Sequence, residues 1–352
     1  MRALWLLNKV MAGTLADVAA GRGHDNWLYG MLRIRAHGVQ SELLEIEQFI
    51  PAKVAQWLRK HLLTMHYAHL PLFPLFFRYD IVFTSTAYGC LVLKALFRIR
   101  RFKWIVLDFN VLGTIGTGTQ FRQRVFAWAI AHGADGIVAI SEAAEQALKE
   151  RFPHLADRIV FIREATDTEY FKPQEGIAEK DVVLSVGNFG RDFDVVIEAT
   201  KDLGVECRLA TKLISPEKAK TLPPHVTVRL YTHQEMLHNY AESKIAFVGI
   251  DPVDRYTDSV GTFALIEAMA MGKATILSDT KSAHSYAEPD VTGVFVPQHD
   301  AVALRAAIQA LLKDGTRRQA LGVAARAFIK EYAHSERFAR EVATYFTTIV
   351  AK

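Results

Sequence analysis

The residues best suited to chemistry lie in segment 258–279 of this 352-residue chain, DSVGTFALIEAMAMGKATILSD. A glycine turn at Val260-Gly261 leads into a pattern that predicts a helix from about Thr262, closed by Gly272. The N–H groups of a first helical turn, with the positive end of the helix dipole, form a site for a diphosphate. Glu267 follows about one turn later and can accept two hydroxyls of a ribose. On spacing alone, it is equally a surface residue of a core helix.

A cation suited to phosphate follows a strand predicted at 182–186. Arg191 presents a planar fork of N–H groups that holds two phosphate oxygens at once. It stands after Gly187-Asn188 and before Asp192-Phe-Asp194. Two interpretations are open: Arg191 binds a diphosphate, or it is a surface arginine paired with Asp192 or Asp194.

A glycine-rich segment in the first half, Gly113-Thr-Ile-Gly116-Thr-Gly118-Thr, precedes a helix predicted from near Gln120. Glycine-rich loops cradle phosphates through backbone N–H groups. This one lacks the Gly-Lys-Ser/Thr of a Walker loop and the third glycine of a dinucleotide fingerprint. We therefore interpret it as a flexible loop that contacts an acceptor.

A second glycine-bearing loop is predicted at residues 11–24, after the first predicted strand, and it contains Gly21 and Gly23. His24-Asp25-Asn26 then opens a predicted helix. His24 or Asp25 is expected at a binding site, or else Asp25 or Asn26 is a plain N-cap.

The elements that position these residues alternate in type. Short apolar runs rich in Val, Ile and Phe predict strands buried on both faces: 80–85, 104–107, 136–140, 182–186, 244–250 and 274–277. Between them lie helical patterns: 26–37, 121–132, 142–151, 193–202, 264–271 and 301–313. Such alternation predicts parallel βαβ units, and there are enough units for two sheets.

The domain boundary is expected near 165–180, where Pro173, Gly176 and several acids separate two strand-like runs. We predict an N-terminal domain over 1–165 and a C-terminal domain over 166–335. An amphipathic helix at 336–352 is expected to return to the first domain.

An ordered set of motifs resembles glycosyltransferase family 4 over most of residues 130–345. In the second half these are residues 186–187, 191–193, 198–199, 267–279, 293–297 and 300–304; in the first half they are 140–142, 163–167 and 171–173. The resemblance implies the α/β GT-B fold, with two Rossmann-like domains facing across a cleft and the nucleotide-sugar donor against the C-terminal one. It also implies sugar transfer with retention of anomeric configuration, no required metal and no tightly bound cofactor.

The resemblance carries over to the donor side residue by residue. The family has two glutamates with seven residues between them; the second corresponds to Glu267, a ribose ligand, and Ser259 stands at the first. Asn188 replaces the family's usual arginine, whereas Arg191 aligns with its usual lysine. The predicted donor site is therefore Gly187, Asn188, Arg191, Ser259, Gly261, Thr262, Phe263 and Glu267. Asp192 and Asp194 match an Asp-x-Asp metal motif of another glycosyltransferase fold, but we interpret them as helix-start acids.

On the acceptor side, the family often has a histidine where this chain's strand 104–107 ends in Asp108, Phe109 and Asn110. Asp108 is predicted to be catalytic together with Arg191 and Glu267, or else it caps the following turn. The other predicted acceptor-side residues are Gly21, Gly23, His24, Asp25, Asn110, Gly116 and Gly118.

The charge is uneven. Residues 52–104 contain nine basic residues and one acid, Asp80, interleaved with aromatic residues. We expect this stretch to bind an anionic membrane and present a lipid-linked acceptor, rather than nucleic acid. The alternative is a solvated basic face with the aromatics in the core. Two cysteines, Cys90 and Cys207, fit a reducing cytosol, so we expect a cytoplasmic protein at the inner face of the membrane.

The sequence thus predicts a retaining glycosyltransferase that uses a UDP- or GDP-linked sugar and a glycan or lipid-linked acceptor, such as a cell-envelope glycan. Two alternatives remain. One is a GT-B enzyme of another reaction, such as a nucleotide-sugar epimerase. The other is a non-catalytic family member that acts as a binding partner, which Ser259 and Asn188 favour.

Overall fold

The structure, a computed structural model, describes residues 1–7, 9–62, 66–251 and 261–352. Two compact units divide the chain. Unit 1 comprises 1–17, 25–163 and 335–352, and unit 2 comprises 18–24 and 164–334. Ser259 and the neighbouring Asp258 and Val260 lie outside the described residues.

Unit 1 is built on a parallel sheet of six strands in the order β2-β1-β3-β4-β5-β6. Its strands are β1 (Arg2–Leu6), β2 (Gln40–Leu43), β3 (Ile81–Thr84), β4 (Lys103–Asp108), β5 (Gly136–Ala139) and β6 (Ile159–Phe161). The connecting helices are α1 (Ala12–Ala19), α2 (Ala52–His61), α3 (Tyr88–Leu96), α4 (Val111–Gly116), α5 (Gln120–Gly133) and α6 (Glu142–Arg151). In the pairing of β1 with β3, Leu4 is opposite Val82.

Unit 2 repeats this architecture with the strand order β12-β11-β10-β7-β8-β9, again all parallel. Its strands are β7 (Lys180–Val186), β8 (Glu206–Ala210), β9 (Val226–Val228), β10 (Ser243–Val248), β11 (Ala274–Ser278) and β12 (Val294–Val296). Its helices are α7 (Phe193–Thr200), α8 (Pro216–Ala219), α9 (His233–Glu242), α10 (Thr262–Ala270), α11 (Ala301–Lys313) and α12 (Gly315–Tyr332). Continuous apolar strands such as β7 are buried on both faces because helices cover both sides of a parallel sheet.

The last helix, α13 (Ser335–Ala351), belongs to unit 1. Its apolar face packs beneath the sheet, where Phe346 contacts the rings of Trp5 and Phe83 at 5.7 and 5.4 Å. The Tyr345 hydroxyl donates to the backbone oxygen of Arg158. The two parallel α/β sheets predicted from the sequence are therefore present, and the last helix returns to unit 1 as expected.

Three local predictions in unit 1 were wrong. Residues 26–37 form two short 3-10 helices, Asn26–Leu28 and Arg33–His37, rather than one α-helix. Most of the segment interpreted as a loop at 11–24 is helix α1, and most of the segment at 113–118 is helix α4. No helix within the described ranges is long and apolar enough to cross a membrane.

Candidate donor site in unit 2

The loop after β7 fixes the guanidinium of Arg191. Gly187 has a φ of 148°, and a Cβ at that position would lie 2.2 Å from Nε of Arg191. Nε of Arg191 donates to the backbone oxygen of Val186 at 2.8 Å, and Nη1 donates to that of Phe189 at 3.3 Å. Arg191 is half-buried and forms no ion pair with any residue that the structure describes. Burial lowers the pKa of Arg191 to about 10, which leaves it charged at neutral pH.

The N-terminus of α10 lies against this guanidinium. Its N-cap residue, Gly261, has a φ of 101°, which favours glycine. A Cβ at Gly261 would lie 2.6 Å from Nη1 of Arg191. Because the N-cap is glycine, no N-cap side chain occupies the N–H groups of the first turn, which begins at the buried Thr262. A cation and the positive end of a helix dipole thus meet at one point, which is an arrangement that binds phosphate.

Glu267 lies further along α10 and is half-buried. Its Oε2 is 3.5 Å from the hydroxyl of Tyr240, a fully buried residue of α9. Burial and the charge of Glu267 hold the pKa of Tyr240 well above its ordinary value, so this hydroxyl remains a hydrogen-bond donor. Glu267 therefore places a carboxylate, next to a hydroxyl donor, on the same helix as the predicted phosphate site.

A small cavity adjoins the start of α10. It is lined by Gly261 and Thr262 and by the polar side chains of Ser278, Thr280, Ser282 and Tyr286. The hydroxyl of Ser278 accepts the N–H of Ile250 at 2.9 Å. These hydroxyls give the site hydrogen-bonding groups beside the helix N-terminus.

The structure brings most of the predicted donor residues together in unit 2. Asn188 is exposed, and its Oδ1 accepts the N–H of Lys212 at 2.7 Å. Phe263 is half-buried against the core of unit 2. Ser259 is not among the described residues. The roles of the donor residues in binding stay predictions.

Asp192 does not pair with Arg191. Its carboxylate caps α7 by accepting the N–H of Val195 at 3.0 Å, and it lies 2.6 Å from Nδ1 of His299. Asp194 is exposed, 3.5 Å from the Lys218 ammonium. Among the described residues, no group of three His, Cys, Asp or Glu side chains is placed to hold a metal ion.

On unit 1, Asp108 and Asn110 follow the carboxyl end of β4. Asp108 is 5% exposed, and its Oδ1 accepts the N–H of Val111 at 2.7 Å. Asn110 caps α4 through the N–H of Gly113 at 2.9 Å. The structure thus gives Asp108 the capping contact that was one of its two interpretations, and an acceptor role stays a prediction.

The predicted acceptor loop around Gly116 and Gly118 is short and held in place. Gly116 ends α4, and Gly118 has a φ of 83°. Gln123 donates to the backbone oxygens of both glycines at 3.1 and 3.0 Å, and Arg122 donates to that of Thr117 at 2.9 Å. The segment is therefore not a phosphate cradle of the kind that presents a row of N–H groups.

His24 and Asp25, adjacent in sequence, belong to different units. His24, which follows Gly21 and Gly23 in the 18–24 segment of unit 2, has its ring 4.9 Å from Phe171 and 4.8 Å from His233. Asp25, in unit 1, accepts Nε of Arg33 at 2.6 Å. Asp25 is therefore a buried ion-pair residue without a side-chain capping bond.

The basic stretch 52–104 is not one surface. Its aromatic residues divide: Phe73, Phe76, Phe102 and Trp104 are buried, while Trp57, Phe77 and Phe97 are exposed. The chain that follows α2 lies at the carboxyl edge of the sheet, since the backbone oxygen of His66 accepts the N–H of Gly89 at the start of α3. Residues 96–101 connect α3 to β4 and therefore lie at the opposite edge.

Sequence reasoning missed Glu164, Tyr240 and Tyr286. Glu164 is 3% exposed, and its N–H donates to the Tyr286 hydroxyl at 2.8 Å. Burial and the charge of Glu267 raise the pKa of Glu164 to about 8. Glu164 lies within the motif 163–167, but the sequence does not assign its side chain to the donor site, because its burial follows from how 164–167 packs.

Residues 167–328 match the family model of glycosyl transferases group 1. No curated protein matches the chain. Among solved structures, Alr3699/HepE from Anabaena in complex with UDP has a TM-score of 0.72 at 15% identity, covering 99% of this chain and 100% of its own. A sucrose-phosphate synthase from Thermosynechococcus elongatus has a TM-score of 0.73 at 18% identity, covering 99% of both chains.

A glycosyltransferase from Rickettsia africae ESF-5 has a TM-score of 0.69 at 14% identity, covering 99% of this chain and 98% of its own. These likenesses establish the GT-B fold over nearly the whole chain. The family match falls on the unit that contains Arg191, Gly261 and Glu267. Since residues 167–328 match the family model of glycosyl transferases group 1 and the whole chain has the GT-B fold, this protein is a glycosyltransferase.

Proposed function

We propose that this protein transfers a sugar, with retention of anomeric configuration, from a nucleoside diphosphate sugar to an acceptor hydroxyl. The observation that supports it best is the contact of the Arg191 guanidinium with Gly261 at the start of α10, with Glu267 on the same helix. In this proposal Arg191 and the N–H groups of Thr262 and Phe263 bind the diphosphate, and Glu267 binds the ribose hydroxyls.

The chemistry follows from stabilising the leaving group. As the bond between sugar and phosphate breaks, negative charge grows on the diphosphate, where the dipole of α10 and Arg191 stabilise it. The acceptor hydroxyl enters on the face that the diphosphate leaves, and its proton passes to the leaving phosphate. The protein then needs no strong general base, and Asp108 has the role of orienting the acceptor.

The nucleotide is the first property to measure. Structures of Alr3699/HepE contain UDP and UDP-glucose, which supports a uridine donor here. A thermal-shift screen of UDP-, GDP- and ADP-sugars tests this, since a ligand that binds the folded state raises the unfolding temperature. Stabilisation by one nucleotide family identifies the base, and no shift with any nucleotide refutes the proposal.

Turnover separates transfer from the alternatives. With the identified donor and an acceptor mixture, transfer predicts donor consumption only when acceptor is present, and the product anomer matches that of the donor by NMR. Consumption without acceptor indicates an epimerase. Nucleotide binding without turnover indicates a binding protein. Glu267→Gln is expected to weaken binding of a nucleoside diphosphate without weakening that of inorganic pyrophosphate.

For the acceptor we propose a lipid-linked or cell-envelope glycan presented at an anionic membrane. The surface that supports this is α2, where Val54, Trp57 and the following Leu62 are 47, 55 and 62% exposed beside the exposed Lys53 and Lys60. Apolar and basic side chains on one helix suit a membrane interface, with each cation contributing about 1 kcal/mol. This helix shares the carboxyl edge of the sheet with Asp108.

Co-sedimentation with liposomes of varied anionic lipid content tests this surface. The double variant Trp57→Ser, Lys60→Ser is expected to lose binding, whereas Phe97→Ser, at the opposite sheet edge, is a matched exposed-aromatic control that retains it. Absence of salt-sensitive binding by the unmodified protein refutes the membrane role and leaves the donor proposal intact.

A further inference from the structure

We propose that Glu164 is a second carboxyl group of the donor site, which acts through Glu267 and must hold a proton for a nucleoside diphosphate to bind. The inference rests on the proposed function, because it concerns the same site. It makes Glu164 a positioning residue whose charge state sets the affinity of the site.

The first observation is the environment of Glu164. Its side chain is buried at 3% exposure, and its Oε1 has no hydrogen-bond partner among the residues that the structure describes. A buried carboxylate without a partner is costly, whereas the neutral acid is tolerated. Elsewhere in unit 2, the nearly buried Glu242 is bridged by Arg208 at 2.6 Å.

The second observation is the connection of Glu164 to the donor site. Its N–H donates to the Tyr286 hydroxyl at 2.8 Å, and Tyr286 lines the cavity that Gly261 and Thr262 also line. The charge that acts on Glu164 is that of Glu267. A buried carboxyl group that feels a neighbouring carboxylate keeps its proton, because a second negative charge there is costly.

The groups around this pair come from several elements. Tyr240 on α9 contacts Glu267 and stays protonated, and the Arg191 guanidinium interacts with Tyr240. Beside Glu164 in the chain, Arg163 lies over the ring of Phe161 at 5.1 Å. In the next turn, the Asp167 carboxylate accepts the N–H of Glu169 at 3.0 Å.

The negative charge of the ligand is the reason why the proton on Glu164 affects binding. A diphosphate brings negative charge to a site where Glu267 already has one, and an ionised Glu164 adds another in a weakly screened interior. Burial and Glu267 raise the pKa of Glu164 to about 8 in the absence of ligand. A bound diphosphate raises that pKa further, so binding above pH 8 must take up a proton. By linkage, affinity falls as pH rises through this range.

Calorimetric titration of the full-length protein with UDP, from about pH 6.5 to about pH 9, tests the inference. The dissociation constant is expected to be constant below about pH 7.5 and to rise towards tenfold per pH unit above about pH 8. In Glu164→Gln, which keeps the shape but has no titratable proton, this dependence is expected to vanish. Glu175→Gln, an exposed glutamate of unit 2, is the control that follows the unmodified protein.

A second readout needs no variant. Repeating the titration near pH 9 in buffers of different ionisation enthalpy measures proton uptake, which is expected to approach one per UDP bound. Binding without proton uptake overturns the role of Glu164 and leaves the donor site standing, as does an unchanged pH dependence in folded Glu164→Gln. Absence of binding by UDP, GDP and ADP at every pH refutes the donor site itself.

Discussion

Replacing Arg191 with methionine should separate ligand binding from fold stability. The side chain keeps much of its volume, but the charge and the N–H fork disappear. A charge-assisted hydrogen bond contributes about 1.5–3 kcal/mol. Losing a two-point contact with a diphosphate is therefore expected to cost about 3 kcal/mol of binding free energy, which raises the dissociation constant roughly 100-fold. Arg191→Lys keeps a point charge without the fork, so its dissociation constant is expected to lie between those of the unmodified protein and Arg191→Met.

Stability should respond differently. The variant loses donation to the backbone oxygen of Val186 at 2.8 Å and the weaker contact with Phe189 at 3.3 Å. It also removes a cation whose burial is unfavourable, as the lowered pKa of Arg191 shows. Because these effects oppose each other, the free energy of unfolding is expected to change by no more than about 1 kcal/mol.

Arg305→Met is the matched control. Arg305 on α11 also donates to two backbone oxygens, those of Ala199 and Lys201, at 3.4 and 2.7 Å. It is expected to leave nucleotide binding unchanged. Calorimetry measures binding, and thermal unfolding measures stability. If Arg191→Met binds UDP within about twofold of the unmodified protein, or if both variants lose affinity equally, the reasoning fails.

Gly261→Ala is expected to weaken nucleotide binding about tenfold and to cost about 1–2 kcal/mol of stability, because its Cβ meets the neighbouring guanidinium. Gly204 has a φ of 71°, and a Cβ there would have nothing within 4 Å. Gly204→Ala should therefore lose stability without losing nucleotide affinity. Equal nucleotide affinity in both alanine variants contradicts this prediction. In unit 2, hydrogen bonds from Lys180 and Arg208 lower the pKa of Glu242 to about 2. Its stabilisation is therefore complete above about pH 4.5 and lost as pH falls towards 2. In Glu242→Gln, the free energy of unfolding should therefore vary less between about pH 4.5 and pH 2. An acid-denaturation profile equal to that of the unmodified protein would contradict this prediction.

The sequence predicted the two-sheet fold because its signals were local and repeated. Apolar runs such as 182–186 become strands whose bounds differ by only a residue or two from the prediction, and α10 begins at Thr262 as the glycine turn indicated. Two of the wrong predictions, at 11–24 and 113–118, have a common cause, because glycines that lie within helices were taken as loop residues. Glycine in 113–118 was taken as evidence for a loop, yet Gly113 and Gly116 lie within α4, where the Asn110 cap stabilises the first turn.

The features that could not be predicted depend on contacts between residues that are distant in sequence. The burial of Glu164 depends on Tyr286, 122 residues away in the chain. The aromatic residues of 52–104 divide between core and surface according to which sheet edge each one reaches, and composition contains no information on that. Arg191 could be predicted as a phosphate ligand from its motif, but its proximity to Gly261 could be seen only in the fold.

Arg191 and Glu164 lie at the candidate site without a charged partner of opposite sign among the described residues. Elsewhere in unit 2, Arg208 bridges Glu206 and Glu242, and Lys273 pairs with Glu179 at 2.6 Å, whereas the half-buried Arg305 and Arg326 donate to backbone oxygens, as Arg191 does. Among the described residues, Arg191 forms no ion pair and Oε1 of Glu164 has no hydrogen-bond partner. Such groups reduce the stability of the unliganded fold. In the proposed function, a bound diphosphate supplies the charged partner that Arg191 lacks in the unliganded fold, and its negative charge favours the protonated form of Glu164.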